Sequence, residues 1–238
     1  MAVAIRGLTA GGIALTVVLL AGCGGLDNGG KTIIATPTAG VFPPNSSPYG
    51  KTYAEWTAAW WQWALLPPAS ANPVTDPTGA LAGVGQSGPV WFLAGTFGGT
   101  AERTCTIPAG KGLFFPIIDA ICWLTLPSDT EPMARAVNAD LINHVTDLEL
   151  AVDGVPVRGL ENLRFASPEF PITFDAADPV WPTPPGPFPA FSDGYFVMLE
   201  PLPRGTHTIY FRGKWVVPEA FPEADILLTV VTYHLTVQ

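Results

Sequence analysis

Residues 227–235 fall into two alternating sets, Leu227, Thr229, Val231, Tyr233 and Leu235 against Leu228, Val230, Thr232 and His234. Both sets are largely apolar, which predicts a strand covered on both faces. Shorter apolar or β-branched runs occupy 90–95, 103–108, 112–119, 147–159, 162–167, 170–175, 194–202 and 206–213. Gly, Pro and Asp separate them, so they read as further strands joined by tight turns. Asp153-Gly154 should centre a hairpin, and Pro108-Ala109-Gly110 a turn between two neighbouring strands. Residues 72–89 and the proline-rich 176–193 read as long surface loops.

Two stretches change period. In "TYAEWTAAWWQWALLPP", Thr52 and Glu55 have capping-box spacing, and Pro67 and Pro68 stop the helix, which predicts a helix over 53–65. At 100° per residue, Tyr53, Trp56, Trp60 and Trp63 share one arc. Glu55, Ala58 and Gln62 lie opposite, and Trp61 stands apart from the stripe. The stripe should bury against the strands, leaving Trp61 the more exposed. Residues 131–144 repeat Met133, Val137 and Leu141 at helical spacing. The fold expected is mainly β: an antiparallel β-sandwich, jelly-roll or immunoglobulin-like, with an N-terminal Trp-rich helix and one further short helix.

The amino terminus carries a different signal. Arg6 precedes an apolar run from Leu8 to Leu20, and "Leu20-Ala21-Gly22-Cys23" follows. A cation, a short apolar run and small residues form an export leader, and the last four residues match the bacterial lipobox. The match implies lipidation of Cys23, cleavage before it, and anchoring by several acyl chains. The expected organisation is a leader at 1–22, a Gly/Pro/Ser/Thr-rich tether at 23–48 and one domain at 49–238. The expected location is the cell envelope. Where the host has two membranes, Gly24 after the cysteine favours the outer one. Otherwise it is the outer face of the plasma membrane.

Composition narrows the partners. Charged residues are 13% and the net charge is −9, so an acidic surface argues against nucleic acid. Outside the cytoplasm Cys105 and Cys122 are expected to form a disulfide around the 108–110 turn. Its loop closure would contribute about 3 kcal/mol. Two separate buried thiols or a reactive pair are the alternatives.

"YGKTYAEWTAAWWQWAL", "GQSGPVWFLAGTFGG", "CTIPAGKGLFFPIID" and "SDGYFVMLEPLPRGTHTIYF" together resemble a family of exported bacterial proteins known only as hypothetical proteins. The resemblance spans most of 49–238. It implies export and a β-rich domain with an N-terminal helix, and it supplies no activity.

Candidate chemistry is sparse. "Gly85-Gln86-Ser87-Gly88-Pro89" lacks the final glycine and the strand-to-helix context of a nucleophile elbow, so it reads as a turn. His144, His207 and His234 have no metal-ligand spacing; His207 and His234 would meet only across strands. No cofactor, metal or catalytic residue is expected. Asp119, Asp175, Asp193 and Glu200 sit at strand ends, and a hydrolase would need two of them to face each other across a cleft. Trp61 and Trp181 are the candidate ligand-binding residues. Trp181 is stiffened by Val180 and Pro182, and its alternative role is a lid folded over the core. The leading reading is a non-enzymatic module that binds a ligand, a glycan or an envelope protein. A glycan-acting envelope hydrolase and a structural envelope component are the alternatives.

Overall fold

A computed structural model describes residues 2–5, 40–216 and 227–238. Cys23 and most of the tether lie outside the described residues.

The capping box forms as the spacing predicts. The Thr52 hydroxyl accepts from the Glu55 amide, the Glu55 carboxylate accepts from the Thr52 amide, and helix α1 runs Tyr53–Leu65. Strands β1 (Ala2–Ile5), β2 (Val90–Phe92), β3 (Gly99–Ile107) and β4 (Gly112–Trp123) are followed by helix α2 (Glu131–Asn143). Then come β5 (Val145–Val152), β6 (Val155–Pro156), β7 (Arg164–Ala166), β8 (Phe170–Ile172), β9 (Phe188–Leu199), β10 (Gly205–Trp215) and β11 (Leu227–Val237). The β5–β6 hairpin turns at Asp153 and Gly154, both with positive φ (51° and 76°), as an Asp-Gly turn requires.

The strands form two sheets. The first, six-stranded, has the path β1-β4-β9-β7, with β2 on β4 and β8 on β9; the second has the order β3-β11-β10-β5-β6. The purely antiparallel sandwich is corrected here, because both sheets are mixed: β1 and β2 pair parallel with β4, and β3 pairs parallel with β11. The cause is the turn at 108–110. It carries the chain from the second sheet into the first, so β3 and β4 are not a hairpin. A second correction concerns 176–193, whose last residues belong to β9 despite Pro189.

Three layers result. One face of the first sheet packs on α1, where Phe114 and Phe196 stack with centroids 5.5 Å apart and Trp60 meets Phe196 edge-on at 6.4 Å. The other face packs on the second sheet, where Phe115 stacks on Phe211 at 5.0 Å. Gly213 permits that approach, since a Cβ there would lie 2.7 Å from the Ile118 Cβ. Helix α2 covers the rest of this face. The Asn138 amide donates to the Phe191 carbonyl, and Arg164 forks onto Asp193 while also reaching Asn143 at the helix end. Residues expected to be tether dock as well: Val41 bridges Leu199, and the Phe42 amide donates to Met198.

Helix α1 buries its stripe, and its polar atoms tie down loops. Tyr53 Oη donates to the Phe42 carbonyl, and the indole N–H groups of Trp56, Trp60 and Trp63 donate to the carbonyls of Pro48, Leu93 and Val84. Trp61 corrects the expectation of exposure: it is 0% exposed, edge-on to Trp60 at 5.1 Å. The helix is enclosed over more than the stripe because β7, β8 and β9 all contact it. The Trp61 N–H is buried without a partner. Truncating either Trp60 or Trp61 to Ala should therefore cost about 3–5 kcal/mol. Phe should separate them: Trp60→Phe leaves the Leu93 carbonyl unpaired, whereas Trp61→Phe loses no hydrogen bond. Denaturant melts should find Trp60→Phe less stable than Trp61→Phe by about 1–2 kcal/mol. Equal losses would contradict the assigned role of the Trp60 bond.

Candidate functional site

The outward face of the second sheet is built by strict alternation. β11 points Val231, Tyr233, Leu235 and Val237 inward and presents Thr232, His234 and Thr236 outward. Register then aligns outward residues in rows. Thr106, Thr236 and Thr206 lie across β3, β11 and β10, and Thr104, His234 and Thr208 form the adjacent row. Threonine suits this position because its branched carbon favours the strand while its hydroxyl faces water.

Two histidine–carboxylate pairs lie by these rows: His234 points outward within one of them, whereas His207, between Thr206 and Thr208 and opposite Leu235, belongs to the inward set at the end of the sheet. His234 Nε2 lies 2.9 Å from Glu102 Oε1, on a neighbouring strand. His207 Nδ1 lies 2.7 Å from Asp153 Oδ2, and its Nε2 lies 3.0 Å from the Pro203 carbonyl. A shallow groove of about 180 Å³ runs between, lined by Thr104, Asp153, Thr206, His207, Thr208, His234, Leu235 and Thr236. It offers hydroxyls that donate and accept beside a carboxylate that only accepts.

The surroundings of His207 favour its charged form. Both of its partners are acceptors, so each ring nitrogen must donate, which only the imidazolium can do. The Asp153 hydrogen bond raises the His207 pKa most; partial burial opposes the rise, and the Pro203 carbonyl adds to it. Burial alone would raise the Asp153 carboxyl, but the bonds from His207 and the Thr208 amide override it and lower its pKa. The His207 contribution is therefore complete below its unfolded pKa of about 6.5 and is lost as pH rises through its higher folded value. The Asp153 contribution is lost as pH falls through its depressed folded pKa.

The other sequence candidates do not join this groove. Cys105 and Cys122 are free thiols, which corrects the expected disulfide. Cys105 lies on β3 of the second sheet and Cys122 on β4 of the first, facing α2, because the intervening turn changes sheets. Burial pushes their thiols up to about 11 and about 12, which keeps both unreactive. Trp61 is sealed in the core. Trp181 is half-buried, edge-on to Phe97 at 5.2 Å and to Trp123 at 6.3 Å, as a lid over the core. The exposed large apolar residues among those described are Tyr49, Leu66, Leu126, Met133 and Val155, so no tryptophan offers an open platform.

The strand-end carboxylates are dispersed. Asp193 pairs with Arg164 at 2.7 Å, and Asp175 accepts from the amides of its own turn. Asp119 is buried with neither oxygen hydrogen-bonded, and burial pushes its carboxyl up to about 8. His144 closes the end of α2 on the Asp140 carbonyl. Among the described residues no three metal-binding side chains cluster.

Asp153 is the groove carboxylate that the sequence does not single out, and Glu102 reaches the site only as the partner of His234. The alternation of Thr104 and Thr106, and of Thr206 and Thr208, was the signal within reach. The parallel pairing of β3 with β11, which unites these pairs, has no local signature. No family model matches the chain, and neither a curated protein nor a solved structure shows significant similarity to it.

His207→Gln should narrow the stability difference from the parent as pH rises. The gap in melting temperature should be widest near about pH 5–6 and shrink above about pH 7. A gap independent of pH over that range would mean that the imidazolium is not what Asp153 and Pro203 hold.

Proposed function

We propose that the chain is an exported cell-envelope lipoprotein, anchored through acylated Cys23, which binds a hydroxyl-rich ligand, a glycan, on the outer face of its second sheet. The binding reading is carried by the groove lined by Thr104, Thr206, Thr208, Thr236, His234 and Asp153. Its threonine hydroxyls and carboxylate match the alternating donors and acceptors of a sugar edge. The shallow shape and the lack of an aromatic platform favour recognition through polar edges and modest affinity. The carboxylate in the groove is committed to a histidine, and the other strand-end acids do not converge with it, so nothing in this arrangement favours hydrolysis.

The test is an NMR titration with the tetramer of N-acetylglucosamine and a panel of other soluble envelope oligosaccharides. A binder should shift the Thr104, Thr208, His234 and Thr236 amides. The double variant Thr208→Val, Thr236→Val keeps the β-branched shape and should weaken that binder by about tenfold, with unchanged stability. Unchanged affinity in the double variant, or no panel member binding at millimolar concentration, would overturn the reading.

The anchor rests on Arg6, the apolar run from Leu8 to Leu20 and "Leu20-Ala21-Gly22-Cys23". Among the described residues no helix is long and apolar enough to cross a membrane. Cys23→Ser should abolish incorporation of labelled fatty acid. Lipid labelling and membrane retention that survive the substitution would refute the anchor.

A further inference from the structure

One sheet edge is occupied by residues that the export reading removes. β4 pairs with β9 on one side along its length. On its other side β2 takes Gly112–Phe114 and β1 takes Asp119–Cys122. Among the described residues no further strand pairs with Asp119–Cys122 on that side. Cleavage before Cys23 takes β1 away and leaves a row of unpaired backbone N–H and C=O groups. The residues laid bare are core in character: Ala120 and Ile121 are 0% exposed and Cys122 6% with β1 in place.

We propose that this edge of the mature protein receives an extended strand of another polypeptide with uncharged side chains and a free α-amine, which adds to β4 in parallel with its amino terminus at Asp119. The proposal rests on the removal of the leader argued above. β1 displays the fit, because the sequence Ala-Val-Ala-Ile sits there with Ala2 opposite Asp119 and Ile5 opposite Cys122. The first residue of an incoming strand in this register therefore meets Asp119. Beneath β1 that carboxyl is 1% exposed and neither oxygen has a hydrogen-bond partner, so a strand reseated on this edge buries an unsatisfied group unless it brings a donor. A free α-amine is such a donor. On the other side Gly194 lets β9 draw tight against this residue, since a Cβ there would lie 2.5 Å from the Asp119 Cβ. Main-chain bonds to β4 would supply affinity, and Asp119 would set direction.

The experiment uses mature protein purified from the envelope, with the synthetic amide of Ala-Val-Ala-Ile as probe and hydrogen-exchange mass spectrometry as readout. The peptide should slow exchange across Asp119–Cys122. N-acetylation of the peptide should weaken binding by about tenfold, the loss of one charge-assisted hydrogen bond. Asp119→Asn should erase the difference between free and acetylated peptide; the acetylated peptide on unaltered protein gives the same comparison should that variant fold poorly. Absence of slowed exchange at β4, or equal binding of the two peptides, overturns the proposal while the export reading stands. An intact mass that still includes residues 1–22 overturns both, since the edge is then never vacated.

Discussion

The donation of indole N–H groups from one helix to the backbone of surrounding loops is the constraint on which the rest of the fold depends. Helix α1 lends its N–H groups to Pro48, Leu93 and Val84, and its tyrosine hydroxyl to Phe42. Those acceptors lie in segments with almost no regular structure of their own. Long loops are stable only when their buried carbonyls find donors. Arg103 does the same work from the second sheet. Only 1% exposed, its guanidinium donates to the carbonyls of Val74, Asp76, Ala94 and Gly95 and to the Tyr233 hydroxyl. Residues 74–95 are thus held between a rank of indoles and a single buried cation, and the loop covers the inner surface of β3 as a strand would. Thr78 completes this by accepting from the Thr104 amide at the β3 edge.

Such a design explains what could be read in advance. The limits of α1 were written in Thr52, Glu55, Pro67 and Pro68, because capping and termination are local. The Asp153-Gly154 turn was equally local, whereas β11, expected to be covered on both faces, leaves His234 and Thr236 exposed on one of them. Contacts between distant segments were not. Nothing near 99–107 announces a parallel partner at 229–237, so the disulfide inferred from a hairpin failed along with the hairpin. Trp61 failed for a related reason: helical arithmetic locates one buried face, but β7, β8 and β9 wrap further round the helix than a single contact surface would. The groove was half visible. Its threonines follow period two, while its carboxylate, Asp153, arrives from the β5–β6 turn.

The molecule keeps its polar chemistry in two unlike settings. On the outer face of the second sheet, polar groups are paired and solvated. Inside the first sheet, Asp119 stands without a partner among apolar neighbours, and burial pushes its carboxyl up to about 8. Groups of the first kind suit reversible contact with a polar ligand. A group of the second kind marks a spot where the fold is incomplete by itself, in the sense that a satisfied polar interior is the rule.

The packing of the indoles has a spectroscopic consequence. None of the eight tryptophans is exposed, and Trp60 lies within 5.1 Å of Trp61 and 6.0 Å of Trp63. Native emission should thus be blue-shifted and pooled by energy transfer among neighbouring rings, and its red shift should report the undocking of α1 more than any other event. The groove on the second sheet has no indole in its lining. A ligand bound there would pass unseen in an intrinsic-fluorescence screen, and that face must be watched through its threonine and histidine nuclei instead.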